Sequence, residues 1–264
     1  MDGTLLNGES VITERTRNAI LAAMGRGVLF VPSTGRPRMG MKKYLTDFDC
    51  DLPLILFNGA MAVTAKTGRG LFSQGLDFSC AETIFAQGVS GGYPVVAWAG
   101  ERLFISCENE EIDTYRAITG AEVQVVADME PLRPIGVTKM LWIIPPEDGK
   151  RLRGEMLGIL GNRVNCYTSQ SYLLEFVDAK ASKGLALEAI GAAYGIAREE
   201  MIAVGDGYND VPMLEYAGLS VAMGNAPEDI KAICQDVTLS NDEDGVAAVI
   251  EKYILGEDGI PCQP

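Results

Sequence analysis

Short apolar segments that alternate with helical segments are the feature that most restricts how this chain can fold. Val28–Val31 and Met201–Val204 are apolar at every position, which is typical of strands buried on both faces of a sheet. Helical segments separate these strands from the next ones, and a strand–helix–strand order predicts parallel pairing. Residues 1–78 and 182–264 are therefore predicted to form one α/β core with a common parallel sheet.

The middle of the chain, residues 79–181, follows another pattern. Strands are predicted in pairs there, such as 94–98 with 102–107 and 164–168 with 172–177. The turn 99–101 contains a central glycine and suits a hairpin. This part is predicted to be an inserted α+β unit with an antiparallel sheet.

Composition excludes several classes of protein. The 264 residues include no histidine, which removes Ser/His/Asp and Cys/His catalysis and the usual zinc hydrolase sites. The net charge of −14 argues against nucleic-acid binding, which needs a basic face. The six cysteines form no Cys-x-x-Cys pair, so disulfides and structural zinc are not expected. The apolar runs are too short for a membrane span and no signal peptide is recognisable, so a soluble cytoplasmic protein is expected.

A group of oxygen-bearing side chains follows the strand that ends at Val204. Asp206 lies between two glycines, and Asn209 and Asp210 open the next helix. Ligands bind at the carboxyl ends of strands in α/β sheets, and several oxygen ligands suit Mg²⁺. The alternative is an ordinary turn with a helix N-cap, but the density of the group favours a metal site.

Three further segments offer groups for a phosphate. Thr34, Gly35 and Arg36 follow a predicted strand and could hold phosphate oxygens, or Thr34 could simply cap a helix. Asn58-Gly59 after the next strand is by itself only a turn signal. Lys183 lies in the first turn of a helix, where a cation opposes the helix dipole, so it needs an anionic partner unless it is a solvated surface lysine.

Together with Asp2-Gly3-Thr4, these segments resemble the haloacid dehalogenase (HAD) superfamily of phosphatases, in its Cof-like class IIB. The order DGTLL, TGR, NGA, a cap of about a hundred residues, SKG and GDGxND is kept over nearly the whole chain. The resemblance implies a Rossmann-like core formed by residues 1–78 and 182–264. It also implies that residues 79–181 form a cap that excludes water and selects the leaving group.

The resemblance also implies a role for each matching residue. Asp2 would act as general acid and base, while Thr34 and Lys183 would hold the phosphoryl oxygens. Mg²⁺ would be bound by the nucleophilic Asp of the family motif, by the backbone carbonyl of Asp2 and by Asp206, with Asn209 and Asp210 in support. The implied substrate-binding positions are Gly3, Gly35, Arg36, Asn58, Gly59 and Asn209.

One part of the family pattern has no counterpart in the sequence. The family motif is Asp-x-Asp-Gly-Thr, and its leading Asp, the nucleophile, would directly precede Met1. The central strand before that Asp, between the strands at 28–31 and 201–204, would also be absent, and the α-ammonium of Met1 would lie near the metal site. We therefore expect that Met1 is an internal residue of the natural protein and that the 264-residue chain is inactive as given.

The expected function is Mg²⁺-dependent hydrolysis of small phosphorylated metabolites, sugar phosphates or similar, through an aspartyl-phosphate. A non-catalytic protein that binds phosphorylated metabolites and a sugar phosphomutase are the alternatives. The sequence does not identify the substrate or the oligomeric state. It also leaves open which of Lys139, Trp142, Tyr172 and Glu175 face the cleft.

Overall fold

The computed structural model describes residues 1–256 of the chain, without the side chains of residues 118 and 169. Its α-helices are α1 Glu14–Gly25, α2 Phe78–Ser90, α3 Glu110–Thr119, α4 Gly149–Leu160, α5 Lys183–Tyr194, α6 Val211–Tyr216, α7 Glu228–Ile233 and α8 Gly245–Ile250. A π-helical turn, Glu251–Leu255, continues α8. Short 3₁₀ segments lie at Arg38–Tyr44, Phe57–Gly59, Glu130–Leu132, Pro146–Asp148, Gly161–Arg163, Arg198–Glu200 and Asn241–Glu243.

The strands form three sheets. They are β1 Pro53–Leu56, β2 Met61–Thr64, β3 Gly70–Ser73, β4 Val95–Ala99, β5 Arg102–Ile105, β6 Val123–Val125, β7 Lys139–Ile143, β8 Val164–Gln170, β9 Leu173–Asp178, β10 Ile202–Gly205, β11 Leu219–Ala222 and β12 Asp236–Val237. One sheet has the order β1-β2-β3, another β10-β11-β12, and the third β6-β5-β4-β7-β9-β8.

The middle of the chain has the predicted hairpins. β4 pairs antiparallel with β5, and β8 with β9, within the six-stranded sheet; only β5 and β6 run parallel. One face of this sheet packs with α2 and α4 in an apolar cluster that includes Trp142 and Phe176. Its other face, which includes Trp98 and Leu141, belongs to a cluster shared with Leu6, Met41 and other residues outside the middle segment. The sheet is thus buried on both faces.

The remaining strands confirm the α/β character but do not form the single sheet that the sequence predicts. β10, β11 and β12 are parallel, whereas β1, β2 and β3 form a separate antiparallel sheet. Next to β1, parallel pairing is limited to an isolated bridge between Ser33 and Ile55. Helix α5 packs against β1 and β3 through Ile190, and against α6 through Leu187 and its neighbours, so it holds the two small sheets together.

The prediction of a strand at Val28–Val31 is wrong. This segment is extended past the end of α1, but Leu29, Phe30 and Val31 make no backbone hydrogen bond within the described part of the chain. They form one wall of an apolar groove of about 460 Å³, and Ile202 and Val204 of β10 line another part of it. A strand needs a neighbour to pair with, and across this groove there is none within residues 1–256.

Two expectations from composition concern the same described residues. No helix in residues 1–256 has the length and apolar character that a membrane crossing requires. Cys50, Cys80, Cys107, Cys166 and Cys234 are all free thiols, as expected. The sixth cysteine, Cys262, lies outside the described residues.

Candidate active site

The loop that follows Val31 places the guanidinium of Arg36 against the carboxylate of Asp2. Arg36 donates from Nη2 to Asp2 Oδ1 at 2.6 Å and from Nε to Oδ2 at 3.2 Å, a bidentate ion pair. Burial raises the pKa of Asp2, but the hydrogen bond and charge of Arg36 outweigh it and hold the pKa below the usual 3.8. The carboxylate is thus ionised and oriented at neutral pH, although its side chain is 60% exposed.

Lys183 and Asp210 form a buried ion pair. Lys183 Nζ lies 2.5 Å from Asp210 Oδ1, and the side chains are only 4% and 7% exposed. The other oxygen of Asp210 accepts from the backbone N–H groups of Asp206 and Gly207 at 3.1 and 3.0 Å. Burial raises the pKa of Asp210, but the charge and hydrogen bond of Lys183 help to lower it by more than burial raises it. The net pKa is therefore below 3.8. Lys183 thus has the anionic partner that its position in the helix requires, and it is not a surface lysine.

Asp206 differs from these carboxylates because no lysine or arginine pairs with it among residues 1–256. Its carboxylate accepts a hydrogen bond from the Thr4 hydroxyl. Burial raises the pKa of Asp206 above 3.8, and the negative charge of Asp210 raises it further. The Met1 amino group is also buried here, as expected, and donates to the Ser33 carbonyl at 3.2 Å. Asp206 therefore carries a partly buried charge that lacks a cationic side chain.

Asn58 and Gly59 hold the loops together. Asn58 lies in the left-handed region (φ 58°), and its N–H donates to Thr34 O at 3.1 Å while its Oδ1 accepts from Asn209 Nδ2 at 3.0 Å. Gly59 has φ +93°, and a Cβ there would overlap the backbone of Ser182 and Lys183. The Asn-Gly pair is thus more than a turn, because it links the Thr34 loop to the start of α5 and to Asn209.

Two other glycines allow close approach at the site. A Cβ at Gly35 would lie 2.8 Å from Asn58 Oδ1, and one at Gly3 would overlap the carboxylate of Asp206. Gly3 also has φ +73°, where a side chain is strained. The structure therefore brings together all eleven residues named from the sequence: Asp2, Gly3, Thr34, Gly35, Arg36, Asn58, Gly59, Lys183, Asp206, Asn209 and Asp210.

The sequence reasoning assigned no role to the residues that hold the first loop in place. Asn225 donates to the Gly3 carbonyl at 2.8 Å, and Asn241 donates to the Leu6 carbonyl at 2.9 Å. Asp242 accepts from the Gly8 N–H at 2.6 Å. Each of these residues contacts a partner more than 200 residues away in the sequence, so no local signal could have shown the contact.

The donor chemistry fits a divalent cation. Asp206 supplies a carboxylate that forms no ion pair with a described side chain and lies beside the backbone of Gly3, and hard cations such as Mg²⁺ prefer such oxygen ligands. Both oxygens of Asp210 are occupied by Lys183 and backbone N–H groups, so Asp210 positions the Asp206 loop. Within residues 1–256 no three acidic or thiol side chains are grouped so that they could hold a metal ion together.

The six-stranded sheet lies directly beside these loops. Arg38 makes a bidentate ion pair with Glu101 in the β4–β5 turn, both contacts being 2.8 Å, and the rings of Phe57 and Trp98 lie 5.4 Å apart. Lys139 reaches the carbonyl of Gly35 at 3.4 Å. Trp142 points to the opposite face of the sheet, so it does not face the site.

The family follows from a match along almost the whole chain. Residues 1–250 match the model of the haloacid dehalogenase-like hydrolases. The chain therefore belongs to this family, and it is a phosphatase of the kind that the sequence resemblance indicated.

Similar proteins agree with this placement. The putative phosphatase YxeH of Bacillus subtilis is 28% identical over 97% of this chain and 97% of its own length. The chain also matches 45% of a longer Arabidopsis thaliana protein, the chloroplastic endoribonuclease YBEY, at 28% identity. The crystal structure of TM0651 from Thermotoga maritima superposes with a TM-score of 0.83 at 30% identity, covering 95% of this chain and 94% of that one.

A solved structure with a stated substrate class is similar too. The HAD subclass IIB sugar phosphatase BT4131 superposes with a TM-score of 0.78 at 25% identity, over 95% of both chains. These likenesses confirm the α/β fold and the phosphatase assignment. They do not test the individual residues.

Proposed function

We propose that this protein is a Mg²⁺-dependent phosphatase that hydrolyses small phosphorylated metabolites, such as sugar phosphates, through an aspartyl-phosphate. The observation that carries the proposal is the Asp206 carboxylate, which pairs with no lysine or arginine among residues 1–256 and lies beside two ordered ion pairs, Lys183–Asp210 and Arg36–Asp2. The relatives named as phosphatases, and BT4131 as a sugar phosphatase, support the substrate class.

The side chains divide the reaction between them. Thr34 and Lys183 bind the equatorial oxygens of the phosphoryl group, and Asn58 and Arg36 hold the surrounding loops. Asp2 protonates the leaving oxygen and later takes a proton from the attacking water. Because Arg36 lowers the pKa of Asp2, the substrate must first weaken this ion pair, so that Asp2 takes up a proton from solvent before it donates that proton to the leaving oxygen.

Mg²⁺, when bound, neutralises the charge of the substrate's phosphoryl group. Asp206 and the backbone carbonyl of Asp2 would hold it, with Asn209 and Asp210 orienting the loop. The cation would also supply the positive charge that Asp206 does not receive from a side chain.

The nucleophile is the remaining component. In the family motif the nucleophilic Asp directly precedes the position that Met1 has in this sequence. We propose that an Asp at that position attacks the phosphorus, and that residues 1–264 alone bind substrate without turning it over. We further propose that residues 79–181 act as the cap over residues 1–78 and 182–264.

The test compares two chains. One is the 264-residue chain, and the other carries a short valine- and isoleucine-rich strand ending in Asp before Met1. The longer chain should hydrolyse p-nitrophenyl phosphate only with Mg²⁺, and Asp206→Asn should abolish this activity. An inert longer chain that folds would refute the proposal, and product isomers from a sugar phosphate would favour a mutase instead.

A metal test needs no turnover. Mg²⁺ should raise the melting temperature of the 264-residue chain, because binding to the native state alone stabilises it, and should leave Asp206→Asn unchanged. Asp229→Asn, at a surface carboxylate bonded to Tyr208, is the matched control and should respond like the unmodified chain. Equal shifts in all three chains would locate the metal elsewhere.

A further inference from the structure

A second buried ion pair lies in the six-stranded sheet, on the side of the candidate site. Lys139 Nζ is 2.6 Å from Glu175 Oε1, and the side chains are only 4% and 6% exposed. Lys139 is on β7 and Glu175 on β9, whose register pairs Leu141 with Glu175. The roles proposed above make no use of either side chain.

The pair faces the phosphate loop. Side chains alternate along a strand, and Leu141, two residues from Lys139, belongs to the cluster on this face, whereas Met140 and Trp142 belong to the opposite one. The ammonium of Lys139 donates to the carbonyl of Gly35 at 3.4 Å. Gly35 lies between Thr34, which is proposed to bind phosphate, and Arg36, which forms the ion pair with Asp2. The Lys139–Glu175 pair is therefore next to the place where a leaving group would extend from the phosphoryl site.

Several buried side-chain atoms near the loop from Ser33 to Arg36 have no hydrogen-bond partner among the described residues. Glu175 Oε2 is buried and has no partner among the described atoms, and neither do Ser33 Oγ and Tyr44 OH. Ser33 is adjacent to Thr34, and the ring of Tyr44 stacks with Arg36 at 5.4 Å. Three of the four such side-chain atoms in the described structure thus adjoin the loop from Ser33 to Arg36, and the fourth, Arg17 Nε, lies on α1.

Stability alone does not account for the pair. Burying two charges costs desolvation free energy, and apolar residues of similar volume often stabilise a protein as well or better. Lys139 uses two of its three N–H groups, on Glu175 and Gly35, within the described side chains. One donor and one carboxylate acceptor therefore remain for a ligand next to the phosphate loop.

We propose that Lys139 and Glu175 determine which leaving group is accepted, by hydrogen bonding to hydroxyl groups of a polyhydroxylated alcohol. Glu175 Oε2 accepts from one hydroxyl, and Lys139 donates to the same or a neighbouring oxygen. This inference rests on the proposed function, because it places the phosphoryl group of the substrate at Thr34 and Lys183.

The experiment measures binding to the 264-residue chain by titration calorimetry with Mg²⁺. Glucose 6-phosphate and ribitol 5-phosphate are the hydroxylated probes, and phenyl phosphate is the probe without hydroxyls. The double variant Lys139→Met/Glu175→Leu keeps the volume of the pair without its charges, and Glu175→Gln keeps its shape. Glu101→Gln is the matched control, since it breaks an ion pair that joins the six-stranded sheet to the loops, Arg38–Glu101.

The double variant should weaken binding of at least one hydroxylated probe about tenfold or more, the effect of losing a hydrogen bond to a charged group. Phenyl phosphate should change by less than about twofold, and Glu175→Gln should fall between, because an amide still accepts a weaker hydrogen bond. Glu101→Gln should leave the ratio between probes unchanged.

Three results would contradict the inference. Equal losses for all probes would mean that the pair only supports the phosphate loop, and unchanged affinities would mean that it contacts no leaving group. If phenyl phosphate binds but both hydroxylated probes bind no better, the selectivity is not for hydroxyls. If the unmodified chain binds no probe, the proposed phosphate site itself is wrong, which is a separate failure that this titration identifies.

Discussion

Replacing Lys183 by methionine should destabilise the protein in a way that depends on pH. The ammonium of Lys183 lies 2.5 Å from Asp210, and both side chains are almost fully buried. Methionine fills similar volume but leaves the Asp210 carboxylate buried without its cation. Removing one partner of a buried pair typically costs about 3–5 kcal/mol. For a chain of this size that corresponds to a fall in melting temperature of about 6–20 °C.

The pH dependence follows from the pKa of Asp210. In the unmodified chain this pKa lies below 3.8, so the stabilisation it represents is present above 3.8 and is lost as the pH falls through the folded-state pKa. Without Lys183, burial dominates and the pKa rises above the unfolded value. Protonation then relieves the buried charge, so the deficit of the variant should be largest near about pH 7 and shrink toward about pH 4.5. Asp206, whose pKa Lys183 also lowers, shifts in the same direction.

The assay is thermal unfolding of both chains across this pH range, followed by circular dichroism. The double variant Lys183→Met/Asp210→Asn is the control, because it removes the buried charge and keeps an acceptor for the backbone N–H groups of the loop. It should recover much of the lost stability near neutral pH and show a pH-independent deficit. A deficit of Lys183→Met that stays constant from about pH 7 to about pH 4.5 would refute the assignment of the effect to Asp210.

Three further changes have definite outcomes. Gly59→Ala should lower the free energy of unfolding in urea by at least about 3 kcal/mol, because its Cβ would overlap the backbone at the start of α5. Gly27→Ala, at φ +88° in open space, should lower it by only about 1–2 kcal/mol, and equal losses would contradict the close approach at Gly59. Arg36→Met should raise the pKa of Asp2, measured by carboxyl NMR titration, since the guanidinium lowers it against the effect of burial; an unchanged pKa would show that the ion pair is not formed in solution. Asp206→Asn should raise the melting temperature without metal near about pH 7, because burial raises the pKa of this carboxyl and its ionised form destabilises the fold; a lower melting temperature would contradict this.

The sequence predicted the local elements well because their signals are local. Thr13 caps α1 and Ser182 caps α5 by accepting backbone N–H groups of residues three positions further along the chain. Likewise, the hairpins of the middle segment were visible in paired apolar runs around short turns. Such signals depend on neighbours within a few residues, so they hold whatever the rest of the chain does.

Sheet formation failed as a prediction because it depends on distant partners. Val28–Val31 has the composition of a buried strand, but an apolar segment becomes a strand only when another strand supplies its hydrogen bonds. In the same way, the sequence could name four cleft candidates but not the face of the sheet on which each lies: Lys139, Trp142, Tyr172 and Glu175. The register of β7 and β9 decided that Trp142 packs away from the site.

The groove also makes the state of the core measurable by hydrogen exchange. The amides of Leu29, Phe30 and Val31 have no acceptor within the described chain, although they sit among apolar side chains. In a parallel sheet paired on both sides, the central amides are among the slowest to exchange, because they open only with global unfolding. These three amides should therefore exchange rapidly with solvent in the 264-residue chain and become protected when a strand fills the groove. Their exchange rates thus report whether the segment at residues 29–31 is joined to β10 through a paired strand.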